Sequence, residues 1–195
     1  MDSHILPVAL DKAYRLLNHG PTVLVPASFD GVDNAMAAAW SCPLDFSPSK
    51  LTVVLDRSTM TRELAEKSGH FVIQVPAAAQ LQLTHELGSR SLHREPEKLA
   101  RCGATLFRID GAGAPLVAGC LAWLACKIVP EPHIQATYDL FIGEVTAAWA
   151  DSRVFKNGHW DFEHAGPDRR SLHYIAGGHF YAIGEPLVAR LDGAE

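Results

Sequence analysis

The spacing of apolar residues along the chain predicts a mainly β protein with a few helices. Near the N-terminus, apolar positions recur at helical spacing: Leu10, Ala13, Tyr14 and Leu17. Gly20 follows, so a short amphipathic helix is predicted there. Short β-branched and aromatic blocks then predict strands over residues 22–28, 34–40, 51–55, 71–75, 105–109, 120–129 and 138–149. Helices are predicted over residues 61–67, 78–87 and 95–102, each followed closely by a glycine.

The order of these segments indicates the fold class. Asp30-Gly31 predicts a turn after the first strand, and Asn157-Gly158 is the strongest hairpin signal in the chain. The helices are inserted between strands and do not alternate with them, which argues against a doubly wound sheet. We therefore expect a mainly β (α+β) fold, a closed or partly closed antiparallel barrel with peripheral helices. No repeat or linker divides the chain, so residues 1–195 are predicted to form a single domain.

Composition and charge exclude several classes of protein. The chain has 22 acidic and 17 basic residues in 195, a formal charge of −5, and it contains no cluster of lysines and arginines. A dedicated nucleic-acid-binding protein is therefore not expected. The longest uncharged stretch, residues 111–126, is too short and too rich in glycine for a membrane span. The N-terminus lacks the features of a secretion signal.

The four cysteines are Cys42, Cys102, Cys120 and Cys126, and none forms a C-x-x-C pair. They are predicted to be buried free thiols in a reducing compartment, which favours a cytoplasmic protein. Cys120 and Cys126 are an even number of residues apart, so on one strand both would point to the same face.

No familiar catalytic motif is present. The sequence has no dinucleotide-binding glycine fingerprint, no phosphate loop of the G-K-S/T type, no G-x-S-x-G and no H-E-x-x-H. Its 10 histidines match no common zinc spacing, and no metal site is predicted. The catalytic residues therefore stay unknown at this stage.

The segment from Asp56 to Arg62 joins a predicted strand to the first turn of a predicted helix. It carries three hydroxyl side chains, Ser58, Thr59 and Thr61. Free amides at a helix start favour a phosphate group, and Arg57 or Arg62 would complete such a site. Simple N-capping by Ser58 or Thr59 explains the same residues, and both interpretations stay open.

A run of small residues between Asn34 and Trp40 is the second unusual segment. Small side chains let a flat ligand approach the backbone, whose amides can then meet its polar edge. A strand packed tightly against a neighbour would give the same composition.

Taken in order, these segments resemble the flavin reductase-like family of FMN-binding split barrels, in particular its flavoredoxin-like branch. The matching elements run from the D-G turn through N-x-M-x-x-x-W-S and S-T-x-T to Glu97-Lys98-Leu99, and cover about residues 20–187. Later matches are Ile142-Gly-Glu-Val145 and Gly177-Gly-His-Phe-Tyr181 with Gly184. Two segments depart from the family pattern. Leu92-His93-Arg94 stands where a Ser-Gly-Arg is usual, and Tyr138-Asp139 stands where many members have Asp-His.

The resemblance implies a site for FMN near the interface of a homodimer. Thr61, with Ser58 and Thr59, would hold the phosphate, and Lys98 would add positive charge. Asn34, Met36, Trp40 and Ser41 would line the ring or the ribityl chain. Strands that are apolar on both faces also favour a dimer, because they have more surface to bury than one core can take.

The implied function is a flavoprotein of the flavin reductase type. Hydride or electrons would pass from NADH, NADPH or a protein donor through FMN to a second small-molecule or protein acceptor. The cofactor carries this chemistry, which explains the absence of a catalytic motif. The alternative is a non-catalytic flavin carrier or an electron-transfer protein without a nicotinamide site. Neither a nucleic acid nor a membrane is expected as a partner.

Overall fold

The computed structural model describes residues 3–189 and confirms a strand-rich fold with a large antiparallel sheet. Its strands are β1 Ile5–Pro7, β2 Val23–Phe29, β3 Val32–Ala38, β4 Ser41–Phe46, β5 Ser49–Val54, β6 His70–Val75, β7 Leu106–Phe107, β8 Leu116–Val117, β9 Ala122–Val129, β10 Leu140–Asp151, β11 Phe155–Lys156, β12 His159–Trp160, β13 Leu172–Ala176 and β14 His179–Ala182. The helices are α1 Met60–Ser68, α2 Leu81–Ser89, α3 Lys98–Arg101 and α4 Pro132–Tyr138, with 3-10 turns at Leu10–Leu16, Ala78–Gln80 and Pro167–Arg169. Within residues 3–189, none of the helices has the length and apolar character needed to cross a membrane.

The main sheet is curled into a split barrel, as predicted. Its strands follow the order β3-β2-β6-β9-β10-β5-β4, and β1 pairs with the far end of β10. Only Ala39 and Trp40 separate the end of β3 from the start of β4. A flat sheet of seven strands would hold its outermost strands about 29 Å apart, at about 4.8 Å per step. Three peptide units reach at most about 11 Å, so the sheet must curl until these two edges approach each other.

The central strands are buried on both faces and therefore separate two hydrophobic cores. Along β2, Val23 and Val25 point into the first core, whereas Leu24 between them points into the second. Along β6, Ile73 points into the first core and Val72 points into the second. The second core is covered by α2 and by the segment around β8, so this chain buries both apolar faces itself. Strands that are apolar on both faces are therefore explained within one chain, and they do not by themselves support the expected dimer.

Gly143 on β10 shows why one motif position needs a glycine. A Cβ atom built there would lie 2.6 Å from Cζ of Phe71 and 2.9 Å from Cβ of Cys126. Atoms cannot approach so closely, so a side chain at this position would force β10 away from its neighbours. The glycine of the Gly-Glu-Val segment is therefore required by barrel packing.

Several predicted segments have different boundaries in the structure. The residues predicted as an amphipathic helix near position 10 form the 3-10 turn Leu10–Leu16. The strand predicted over 138–149 begins at Leu140, because α4 ends at Tyr138 and Asp139 adopts a left-handed conformation with φ of 56°. Strand β4 was not predicted, because its sequence contains a proline and only short apolar runs. The hairpin at Asn157-Gly158 is confirmed, with both residues at positive φ.

The cysteine prediction is confirmed only in part. All four cysteines are free thiols; Cys120 and Cys126 are buried, but Cys102 is only partly buried and Cys42 is exposed. The prediction that Cys120 and Cys126 share a face is wrong, since they lie in different cores. Strand β9 begins at Ala122, so Cys120 precedes it and the two-residue alternation does not extend that far.

Candidate functional site

A polar cleft of about 350 Å³ lies where three parts of the chain meet. One wall is the β3 edge of the sheet, the second is the start of α1, and the third is the segment from the end of α2 to α3. Its lining includes six of the eight residues predicted from the sequence: Asn34, Met36, Ser58, Thr59, Thr61 and Lys98. Residues that are distant in sequence thus converge on one cleft.

A hydrogen bond joins the first two walls of this cleft. Asn34 Nδ2 donates to Thr61 Oγ1 over 2.9 Å, and both residues are fully buried. Asn34 Oδ1 is buried as well and has no hydrogen-bond partner among the described residues. A buried polar atom without a partner lowers the stability of the fold. The Asn34 oxygen can therefore accept a hydrogen bond from a ligand or a water molecule in the cleft.

The start of α1 is capped by Thr59, which confirms the capping interpretation for that residue. Thr59 Oγ1 accepts a hydrogen bond of 3.4 Å from the amide of Arg62 and donates one of 2.8 Å to the Asp56 carbonyl oxygen. Ser58 is not the cap, since its amide and hydroxyl both donate to Asp56 Oδ1. The cap satisfies one amide, whereas the amides of Met60 and Thr61 have no partner within the helix. Capping and anion binding are therefore compatible at this helix start.

The structure corrects the expectation that Arg57 or Arg62 completes this site. Both guanidinium groups turn away from the cleft and contact Asp139, which follows α4. Neither arginine lines the cleft.

Lys98 supplies the buried positive charge of the cleft. Its side chain is 1% exposed, and Nζ donates a hydrogen bond of 2.8 Å to the carbonyl oxygen of Ala35 on β3. Burial lowers the pKa of Lys98 to about 8, because the charged form loses its hydration. At neutral pH the ammonium is still the main form, and an anion beside it would favour that form further.

The segment after α2 adds basic side chains that the sequence arguments do not single out for binding. Arg94 lines the cleft and has no ion-pair partner among residues 3–189. Arg90 also lines it but pairs with Glu95 over 2.8 Å, and His93 Nε2 lies 3.2 Å from Glu63 Oε1 on α1. The signal that could have found this wall is the cluster of Arg90, His93 and Arg94 within five residues.

Gly88 lets α2 approach β3 closely enough to form this wall. A Cβ atom at Gly88 would lie 3.1 Å from Cβ of Ala37, tighter than ordinary van der Waals contact. The absence of a side chain therefore brings the end of α2 against the small-residue strand.

A second cavity of about 200 Å³ adjoins the cleft and shares Gly88 and Ser89 with it. Its floor is the small-residue run at Ala37, Ala38 and Ala39, and its far wall includes the rings of His85, Tyr174 and Phe180. Thr84 also lines this cavity. Its Oγ1 atom is fully buried and has no hydrogen-bond partner among the described residues.

The two remaining predicted residues, Trp40 and Ser41, do not line the cleft or the second cavity. Trp40 is 75% exposed at the bend between β3 and β4. The Ser41 hydroxyl donates a hydrogen bond of 2.9 Å to the carbonyl oxygen of Thr52 on β5. Within one chain, these two residues are therefore separate from the other six.

The C-terminal histidines also lie outside the cleft. His164 Nδ1 is paired with Asp161, and together with Glu163 they form an exposed group whose ligand atoms lie within 4.8 Å of one another. His19 and His173 pack among aromatic rings, with their ring centroids 5.8 Å apart.

Comparison with known proteins identifies the family. The model of the flavin reductase like domain matches residues 15–181, so the chain belongs to this family. It is 42% identical over 192 residues to the uncharacterized protein YddH of Escherichia coli K12, covering 96% of this chain and 99% of that protein.

Two solved structures show the same fold. An FMN-binding domain of a flavin reductases-like enzyme from Shewanella baltica OS155 is 63% identical, with a TM-score of 0.95 and coverage of 97% of this chain and all of that one. Flavoredoxin from Desulfovibrio vulgaris (Miyazaki F) is 25% identical, with a TM-score of 0.74 and coverage of 89% and 92%.

Proposed function

We propose that the cleft and the adjoining cavity bind FMN and that the protein is a flavin reductase-type oxidoreductase. The observation that carries this proposal is the convergence of the α1 N-terminus, the Thr61 hydroxyl and the buried Lys98 ammonium on one cleft. Family membership and the FMN-binding domain from Shewanella baltica support it. When bound, FMN supplies the hydride- and electron-transfer chemistry that no side-chain constellation here provides.

The phosphate end of the ligand fits the cleft. The free amides of Met60 and Thr61 and the positive end of the α1 dipole favour an anion. Lys98 adds a charge from the opposite wall, and Arg94 can reach the anion without breaking an ion pair. Ser58 and Thr59 shape the turn, and their hydroxyl oxygens keep lone pairs free for water or for the ribityl hydroxyls.

The ring end fits the second cavity. The run from Ala37 to Ala39 lets a flat ring approach the backbone, while Tyr174 and Phe180 offer aromatic faces opposite it. Asn34 Oδ1 in the cleft and Thr84 Oγ1 in the second cavity are buried and have no hydrogen-bond partner among residues 3–189. Both are groups that a polar ligand edge or a bridging water would satisfy. The two spaces together are in the usual size range of cofactor sites, about 300–1,000 Å³.

The protein's part in turnover is to bind, to orient two rings and to exclude water. NADH or NADPH is the proposed electron donor, and the acceptor is a second flavin, a small molecule or a protein. The test is anaerobic addition of NADH or NADPH to the FMN-loaded protein. Bleaching of the flavin absorbance within seconds supports the reductase, whereas a spectrum unchanged by either nucleotide supports the carrier or electron-transfer alternative.

A homodimer is the proposed assembly. Strand β4 is an edge strand, and alternate residues along it and the preceding bend expose an apolar face made of Trp40, Cys42, Leu44 and Phe46. An apolar face on a free strand edge favours association with another chain. This face lies beside the end of the small-residue run, so a second copy there would place Trp40 in an interface close to the proposed ring end.

A further inference from the structure

We infer that Asp139 is a positioning residue for the phosphate-binding junction of residues 56–61, acting through Arg57 and Arg62. This inference rests on the proposed FMN site. Asp139 belongs to the Tyr138-Asp139 segment, which departs from the family pattern and has no role in the cleft itself.

The backbone of Asp139 contacts one end of this junction, and its carboxylate contacts the middle and the other end. Asp139 adopts the left-handed conformation that ends α4. Its carbonyl oxygen accepts a hydrogen bond of 2.9 Å from the Leu55 amide. Its Oδ1 accepts a charged hydrogen bond from Arg62 Nη1 and lies 3.2 Å from Arg57 Nη2. Leu55 precedes the junction, Arg57 lies within it and Arg62 follows it, so one residue holds all three.

Arg62 is the buried member of this arrangement. Its side chain is 10% exposed and donates to the Leu55 carbonyl over 3.3 Å and to the Gln135 carbonyl over 3.0 Å. Its Nε atom donates to Glu66 over 3.0 Å, and the guanidinium lies 5.2 Å from the centre of the Phe141 ring. Arg62 therefore connects α1 to the residue that follows β5, to α4 and to β10.

Arg57 is the exposed member and is held from two sides. Its Nη2 atom donates to the Ala136 carbonyl over 2.9 Å, besides its contact with Asp139. The hydrogen bonds from Arg62 and Arg57 also keep the pKa of Asp139 below its ordinary value, so the carboxylate is charged across the neutral range.

Loss of this carboxylate would leave the buried Arg62 charge with only the half-exposed Glu66 carboxylate as an ion-pair partner among the described residues, which weakens its compensation. Arg62 and the start of α1 would then shift toward other partners. Hydrogen bonds from helix amides to a phosphate are strong only within a narrow range of distance, so a small shift of the junction weakens phosphate binding. Binding of the ring, which uses the other cavity, should change much less.

The test is the affinity of the full-length protein for FMN and for riboflavin, which lacks the phosphate, in the wild type and in Asp139→Asn. Asparagine keeps the size and tolerates the left-handed backbone, but it removes the negative charge. We expect the preference for FMN over riboflavin to fall at least tenfold, with riboflavin affinity within about threefold of wild type. The matched control is Asp161→Asn, which removes another ion-paired aspartate, bonded to Lys156 over 2.8 Å, outside the site.

The sign of the result separates positioning from simple electrostatics. Removal of a negative charge near the cleft would by itself strengthen phosphate binding. An unchanged or increased FMN preference in Asp139→Asn would therefore overturn the inference. If Asp139→Asn does not fold, Asp139→Glu keeps the charge and displaces it by one methylene group. That variant should lose at least threefold in FMN preference, and an unchanged preference would overturn the inference equally.

Failure of the inference is distinguishable from failure of the proposed function. A wild-type protein that binds FMN no better than riboflavin would contradict the phosphate site itself. A wild-type protein with a clear FMN preference that both variants retain would contradict only the role of Asp139.

Discussion

Asn34 on β3 and Thr61 on α1 are joined by a buried side-chain hydrogen bond of 2.9 Å, although 27 residues separate them in the sequence. This bond fixes the strand edge against the helix that forms the opposite wall of the cleft. It also uses the amide donor of Asn34, whose oxygen atom has no hydrogen-bond partner in the part of the chain that the structure describes.

The first prediction concerns this bond. Thr61→Val keeps the shape of the side chain but removes the acceptor, so the buried Asn34 amide is left without a partner. We expect a loss of about 1–3 kcal/mol in the free energy of unfolding and weaker FMN binding by tenfold or more. Chemical denaturation and flavin titration measure the two effects. Thr105→Val, an exposed threonine just before β7, is the control and should change neither. Unchanged FMN affinity in Thr61→Val would remove Thr61 from the proposed site.

The second prediction concerns the pH dependence of flavin binding. The pKa of Lys98 is lowered to about 8 by burial, so its charge is present below that pH and lost above it. The phosphate of FMN is a dianion above about pH 7, so affinity should fall as pH rises from 8 toward 10. Bound phosphate favours the charged lysine and will move the transition upward from the value in the free protein.

Lys98→Met should bind FMN at least tenfold more weakly at pH 7 and should lose this pH dependence. Its fold should survive, because replacing a buried charge with an apolar side chain of similar length removes a desolvation cost. Lys67→Met, an exposed lysine on α1, is the control. An identical alkaline decrease in wild type and Lys98→Met would show that another group is responsible.

The third prediction concerns stability in mild acid. His19 packs against Trp160 and Phe162, and neither of its ring nitrogens has a partner among the described residues. Burial, and then the proximity of His173, lower the pKa of His19 to about 4 from an ordinary value of 6.5. Between these pH values the unfolded chain binds more protons than the folded one, so stability increases with pH across this window. It is lost as pH falls below 6.5.

For His19 alone, the loss between pH 7 and pH 5 should reach about 2 kcal/mol. The His173 pKa is also lowered by burial, so it adds a loss of the same sign. His19→Phe should reduce the pH 5 penalty, as measured by denaturation at both values. The exposed His164, replaced by Gln, is the control. Equal penalties in wild type and His19→Phe would contradict this assignment.

The sequence was sufficient for the barrel because each core strand carries a short apolar block bounded by turn residues. It was insufficient for β4, where Pro43 and Asp45 interrupt the apolar pattern and the pairing with β5 shifts register between them. Such an edge strand is fixed by its partner β5 and not by its own residues. Strand propensity is in general weaker than such tertiary pairing.

Site residues could be predicted from the sequence where a local motif marks them. They could not be predicted where contacts with distant parts of the chain decide the direction of a side chain. The helix start at residues 58–61 has a local signature, and it does line the cleft. The direction of Arg57 and Arg62 depends on Asp139, which is more than 70 residues away and carries no local signal. Tryptophan is a residue type typical of ligand contacts, yet within one chain Trp40 is exposed to solvent at the bend between β3 and β4. Whether it meets the flavin depends on the proposed second copy.

The fourth prediction concerns that second copy. Sedimentation at micromolar concentration should give about twice the chain mass of 21.2 kDa. Leu44→Asp places a charge in the exposed apolar face of β4 and should shift the protein toward the monomer. Leu81→Asp, at a partly exposed leucine at the start of α2, is the control and should leave the assembly unchanged. A wild-type monomer that still binds FMN would contradict the homodimer.

The central claim is that the cleft between β3, α1 and α3 holds the phosphate of FMN. Titration of the purified protein with FMN and with riboflavin, followed by flavin fluorescence, tests it most directly. The account predicts saturable binding of one FMN per chain, with riboflavin bound at least tenfold more weakly. A protein that ignores added FMN, or that binds both flavins equally, would contradict it.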